Sequence, residues 1–129
     1  MDIHAVLDLY NDAWGETDEP RRRALLTKAW SDEGVYTDPT TVAQGREQLI
    51  ALMGELQQQF PGMRIEKSSH AEEHNGAFMY TWDLCVGDDV VISGRDIGFR
   101  DDDGRVRNLS CFYLLTAQES DEAAAISAS

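Results

Sequence analysis

The sequence predicts an α+β domain, and three observations carry that reading. Apolar residues recur at helical spacing only in the first half of the chain. Period-two alternation takes over after Gly62. Turn signals then divide the second half at intervals that suit a meander. Helices gathered ahead of strands indicate α+β rather than alternating βαβ units.

The first helix is expected over residues 2–14, where Ile3, Val6, Leu7, Tyr10 and Trp14 share one face, with Gly15 ending it. Thr17 or Asp18 caps a second helix, with Pro20 in its first turn. That helix runs to about Trp30, with Ala24, Leu25, Ala29 and Trp30 on its apolar side. Ser31-Asp32-Glu33-Gly34 reads as a break. Val35-Tyr36-Thr37 reads as a short strand stopped by Asp38-Pro39. Gly45 opens a third helix with Leu49, Ile50, Leu52, Met53 and Leu56 as its stripe, and Phe60-Pro61-Gly62 ends it. Residues 63–72 then form a strand with polar interruptions, and Asn75-Gly76 is a hairpin turn. Phe78, Tyr80, Trp82, Leu84 and Val86 alternate along a long strand. Residues 90–100 and 106–116 form two more strands, separated by Asp101-Asp102-Asp103-Gly104. The single domain is expected to span residues 1–116, and residues 117–129 to be a mobile acidic tail.

The 129 residues suit one core, which needs no staples at this size. The net charge of −13 opposes binding to nucleic-acid phosphates and to anionic membranes, both of which need clustered Lys and Arg. The two cysteines, Cys85 and Cys111, lie in apolar strand-like runs and read as buried free thiols. There is no CxxC, no zinc-ligand spacing and no apolar run of spanning length. No metal or cofactor is expected, and the location expected by default is cytoplasmic. His70 and His74 read as solvated beside the Asn75-Gly76 turn. Arg21-Arg22-Arg23 reads as an exposed helix face making i,i+4 pairs.

The last strand is apolar on both faces. Leu109, Cys111, Tyr113 and Leu115 point one way, and Val106, Phe112 and Leu114 the other. A sheet with one wet face would alternate cleanly. One face therefore covers helices or a cavity. The other meets a second copy in a homodimer, or is covered by a tail or loop.

The chain resembles the nuclear transport factor 2-like superfamily, and within it the small SnoaL-like proteins, over about residues 3–116. The resemblance rests on Tyr10-x-x-x-Trp14, Val35-Tyr36-Thr37-Asp38-Pro39, Gly45-Arg46, Phe60-Pro61-Gly62, Phe78-Met79-Tyr80-Thr81-Trp82, Gly94-Arg95-Asp96 and Asp103-Gly104-Arg105-Val106. It implies a cone-shaped, cystatin-like barrel in which three N-terminal helices pack on a curved antiparallel sheet. The superfamily holds enzymes and non-enzymes alike, so the fold alone assigns no activity.

Similarity to one enzyme of that superfamily, ketosteroid isomerase, implies particular site residues. Tyr10 is similar to its helix tyrosine, Asp38 to its aspartate base, and Asp96 to its protonated aspartate. Its pocket positions fall on Tyr80, Trp82 and Leu84. Trp14, Leu109, Cys111 and Tyr113 complete the expected wall. Trp14 and Trp82 narrow the pocket, making it unsuited to a steroid. The expected ligand is a small apolar or carbonyl-containing molecule.

The residues read by themselves leave alternatives. An Asp before Pro is either a turn former or, against apolar walls, a base of raised pKa. Asp96 shares a strand face with Ile92 and Gly94, where it must pair or stay protonated. Tyr10 either packs in the core or donates toward Asp96. The leading function is a cofactor-free isomerase or cyclase that moves a proton alpha to a carbonyl. The rivals are a non-catalytic ligand-binding module and a dimerising scaffold.

Overall fold

The computed structural model describes residues 1–113. Helix α1 (Ile3–Gly15) starts at Asp2, whose carboxylate accepts from the Ala5 N–H at 2.8 Å. It buries Ile3, Val6, Leu7, Tyr10 and Trp14, as its spacing predicts. Helix α2 (Glu19–Ala29) is capped by Asp18, not Thr17: the Asp18 carboxylate accepts from the Arg21 N–H at 3.1 Å. Strands β1 (Trp30–Asp38) and β2 (Thr41–Gln44) form a hairpin around Pro39. Helix α3 (Arg46–Gln59) follows Gly45, whose φ of 83° suits glycine at the entry. Then come β3 (Met63–Lys67), β4 (Glu72–His74), β5 (Ala77–Val86), β6 (Asp89–Arg100) and β7 (Val106–Tyr113).

The architecture is α+β, with three helices against one curved sheet of order β2-β1-β7-β6-β5-β3, and β4 paired to β5. The sheet is mixed, which corrects the all-antiparallel expectation: β1 runs parallel to β7, with Tyr36 opposite Leu109 and Thr37 opposite Ser110. An alternating pattern shows that a segment is a strand but not which way its neighbour runs. The expected break at Ser31–Gly34 is also strand, irregular where the β1–β7 register shifts between Trp30 and Val35. Trp30, assigned to the second helix, begins that strand. The single strand expected over 63–72 divides into β3 and β4, both antiparallel to β5.

Val106 is fully buried rather than on the outer face with Phe112. A bulge explains it: Phe99 pairs with Asn108 but Arg100 pairs with Val106, so Arg107 is the extra residue and the alternation inverts. The arginine triplet also divides. Arg22 is buried, donating to the Glu16 and Ile50 carbonyls at 3.1 and 3.3 Å and to Gln57 Oε1 at 2.7 Å. It thereby ties α2 and the α1–α2 connection to α3. Arg23 makes the i,i+4 pair with Glu19 at 3.0 Å.

The core lies between the helices and the concave sheet face, where Tyr36, Phe78, Tyr80, Trp82, Leu84 and Leu109 are buried. Each such side chain contributes roughly 1.5–3 kcal/mol by leaving water. The convex face carries Met79, Ile97, Phe99 and Phe112, all exposed. Cys85 and Cys111 are free and buried. Among the described residues no helix is long and apolar enough to cross a membrane, and no three potential ligands gather as a metal site. Leu114, Leu115 and the expected tail lie outside the described residues.

Candidate functional site

A cavity of about 590 Å³ opens between the concave sheet face, α1 and the C-terminal half of α3. Tyr10, Asn11 and Trp14 come from α1, Tyr36 and Asp38 from β1, and Leu52, Glu55, Leu56 and Gln59 from α3. Trp82 and Leu84 come from β5, Ile92 and Asp96 from β6, and Cys111 and Tyr113 from β7. Exposed Thr40, Glu55 and Gln59 mark the mouth, whereas buried Tyr10, Asn11 and Asp96 mark the floor.

Asp96 is 3% exposed, in the middle of β6. Both carboxylate oxygens are engaged: Tyr80 Oη donates to Oδ2 at 2.5 Å and Trp82 Nε1 to Oδ1 at 2.9 Å. Asn11 Nδ2 donates to Tyr80 Oη at 3.2 Å, extending the network into α1. Flanking glycines create this arrangement. A Cβ at Gly94 would lie 2.4 Å from Trp82 Cζ2, and one at Gly98 would lie 2.6 Å from Phe78 Cζ. The indole therefore lies flat against β6, and its N–H reaches the carboxylate two residues further on. Burial pushes the Asp96 pKa up to about 6, against the opposing effect of donation from Tyr80, Trp82 and Cys111.

Asp38 is held differently. Its Oδ1 accepts from the Thr40 and Thr41 N–H groups at 2.8 and 3.0 Å and from Thr40 Oγ1 at 2.9 Å. Its Oδ2 accepts from Tyr36 Oη at 2.8 Å. The turn-forming geometry and the cavity position thus coexist in one side chain. The Cys111 thiol sits beside both Tyr36 and Asp96; burial first, then the charge of Asp96, raises its pKa, so it stays a thiol. Tyr10 keeps its proton for the same two reasons. Its ring stacks on Trp30 with centroids 5.4 Å apart.

All three residues matched to the isomerase, Tyr10, Asp38 and Asp96, line the cavity, as do Trp14, Trp82, Leu84, Cys111 and Tyr113. Tyr80 and Leu109 do not. Tyr80 stands behind Asp96 as its hydrogen-bond donor, and Leu109 packs in the core beside Tyr36 and Gly98. The contact expected between Asp96 and Tyr10 is made by Tyr80 instead, because Tyr80 is Asp96's cross-strand partner. The sequence reading missed Tyr36 and Asn11. Tyr36 could have been found two residues before Asp38, on the same strand face. Asn11 is a polar residue that turns inward on α1 next to Tyr10.

The fold, with a cavity that opens beside its concave sheet face, defines a protein of the nuclear transport factor 2-like superfamily. The chain is similar to a SnoaL-like family protein from Agrobacterium tumefaciens, described as a proposed isomerase, with 30% identity, a TM-score of 0.79, and coverage of 85% of this chain and 95% of that one. This chain belongs to the SnoaL-like family. It shares its fold with a proposed SnoaL-like polyketide cyclase from Jannaschia sp., with 18% identity, a TM-score of 0.71, and coverage of 92% and 88% of the two chains. A cystatin-like protein of unknown function from Methylobium petroleophilum has the same identity and TM-score, with coverage of 88% and 76%. No family model and no curated protein matches the sequence.

Proposed function

We propose that the protein moves a proton on a small carbonyl compound held in this cavity, as a cofactor-free isomerase or cyclase. The observation that carries the reading is Asp96: a buried carboxyl at the floor of an aromatic cavity, with a pKa near 6, suited to exchanging a proton near neutrality. In this reading ionised Asp96 takes the proton from the carbon alpha to the carbonyl. Tyr10, which keeps its own proton, donates a hydrogen bond to the carbonyl oxygen as it becomes an enolate. Asp96 then returns the proton elsewhere on the skeleton, or the enolate carbon attacks a second carbonyl of the same molecule, breaking its C=O π bond, and the resulting alkoxide takes the proton back from Asp96. We give Asp96 the base role because Asp38 already accepts four hydrogen bonds. Asp38, with Tyr36, orients the ligand at the mouth.

The test is exchange of alpha protons for deuterium in a panel of small cyclic ketones and enones, followed by proton NMR. The wild-type protein should accelerate exchange for at least one member, and Asp96→Asn should lose that acceleration. Wild-type rates no faster than those of Asp96→Asn throughout would remove the enzyme reading. The surviving reading would be a non-catalytic binding module, which the turn-bound state of Asp38 favours.

We further propose that two copies associate through the convex sheet face. Met79 and Ile97 are cross-strand partners there, and Phe112 on β7, opposite Arg95, lies diagonal to Ile97. All three are exposed in the single chain.

A further inference from the structure

We infer that the ligand of this cavity is an organic cation, carrying a protonated amine or a quaternary ammonium. The inference rests on reading the cavity as a small-molecule site and names the class of molecule it takes. Among the described lining residues there are three carboxyl groups, Asp38, Glu55 and Asp96, and no lysine, arginine or histidine. An anionic ligand would enter with no partner for its charge and would face like charges at the mouth.

The walls are suited to the opposite charge. Trp14 and Tyr36 stand 5.6 Å apart at 55°, and Trp82 and Tyr113 stand 6.3 Å apart at 64°. These four aromatic rings line the cavity, and it is the negative face of such a ring that attracts an ammonium group. Glu55 is exposed at the mouth and forms no hydrogen bond or ion pair within the described residues. It belongs to the C-terminal half of α3, whose last turn carries no basic residue to offset the negative end of the helix. The chain's net charge of −13 adds a long-range field of the same sign. An uncharged ligand would leave the carboxylates at the mouth without a counter-charge, whereas a cation satisfies rings and carboxylates together.

The test compares three probes by tryptophan fluorescence, since Trp14 and Trp82 line the cavity. They are benzyltrimethylammonium, its uncharged carbon isostere neopentylbenzene, and phenylacetate. Benzyltrimethylammonium should bind about tenfold more tightly than the isostere, and phenylacetate should not bind. Glu55→Gln, at an exposed position that leaves folding intact, should loosen benzyltrimethylammonium by about threefold and leave neopentylbenzene unchanged. Equal binding of the charged and uncharged probes, or tighter binding of phenylacetate, would overturn the cationic ligand and leave an apolar cavity in place. Failure of all three to bind would overturn the cation and the small-molecule site together.

Discussion

Tyr80 and Asp96 face each other across the β5–β6 ladder, and the Tyr80 hydroxyl donates to the Asp96 carboxylate at 2.5 Å. The pair stands between the hydrophobic core and the cavity. Tyr80 packs against Phe78 on the core side, ring centroids 6.3 Å apart, while Asp96 opens on the cavity. A carboxyl that must ionise here does so against burial, and the donated bonds are what make ionisation near neutrality attainable.

The first prediction concerns stability against pH. The folded pKa of Asp96, about 6, exceeds the unfolded value near 3.8. The unfolded state therefore releases the proton first, and the native state loses stability as pH rises from about 4 through 6. The full loss is roughly 3 kcal/mol. Asp96→Asn removes this component. Urea unfolding at pH 4 and pH 7.5 should show the wild-type advantage over Asp96→Asn shrinking by about that amount as pH rises. An unchanged difference between the two proteins would mean that Asp96 ionises as in water.

Tyr80→Phe removes one donor from the ionised carboxylate while keeping the ring. The pKa of Asp96 should then rise by about one unit, the equivalent of one net hydrogen bond. Carbon-13 NMR titration of the aspartate carboxyls reads it directly, and the acid limb of any alpha-proton exchange should move with it. A titration curve that stays in place would show that the 2.5 Å contact does not hold the carboxylate.

Arg21 and Arg22 are adjacent but differ in consequence. Arg22→Ala should cost about 3 kcal/mol, because it leaves Gln57 Oε1 without its donor and removes one donor each from the Glu16 and Ile50 carbonyls inside the helix junction. Arg21, whose side chain is 79% exposed, should change stability by no more than about 0.5 kcal/mol on the same substitution. Similar unfolding midpoints for the two variants would contradict the clamp.

Phe112→Asp tests the convex face. Sedimentation should show the wild-type protein as a dimer at micromolar concentration, and the variant should weaken association at least tenfold, because it places a carboxylate in an apolar contact. A wild-type monomer under those conditions ends the proposal.

The sequence made some elements legible because local chemistry decides them. Asn75-Gly76 turns the chain between β4 and β5, with Asn75 at φ 51°. Tyr80, Trp82 and Leu84 turn inward together because period two leaves them no other face. Asp96 was readable for the same reason. What escaped depends on non-local geometry. No feature of Val35-Tyr36-Thr37 indicates that its neighbour is β7, running parallel. One extra residue at Arg107 turns Val106 from outward to inward. Arg22 is buried only because α3 passes over it at Gly54, where a Cβ would lie 3.2 Å from its guanidinium. Period two fixes direction and not depth, so it gives the face of Tyr80 but not its place one layer behind the cavity wall.

The parallel pairing of β1 with β7 also sets when the site can exist. Tyr36 and Leu109 meet across the sheet although more than half the chain lies between them. Closing so large a loop is slow, because its entropy must be lost before the contacts that reward it form. During synthesis α1, α2, β1 and α3 emerge before the strand that supplies Cys111 and Tyr113, so the cavity wall is completed only when β7 arrives. Occupancy of the cavity therefore reports completion of folding: a bound ligand stabilises only a chain that has already joined its early strand to its late one.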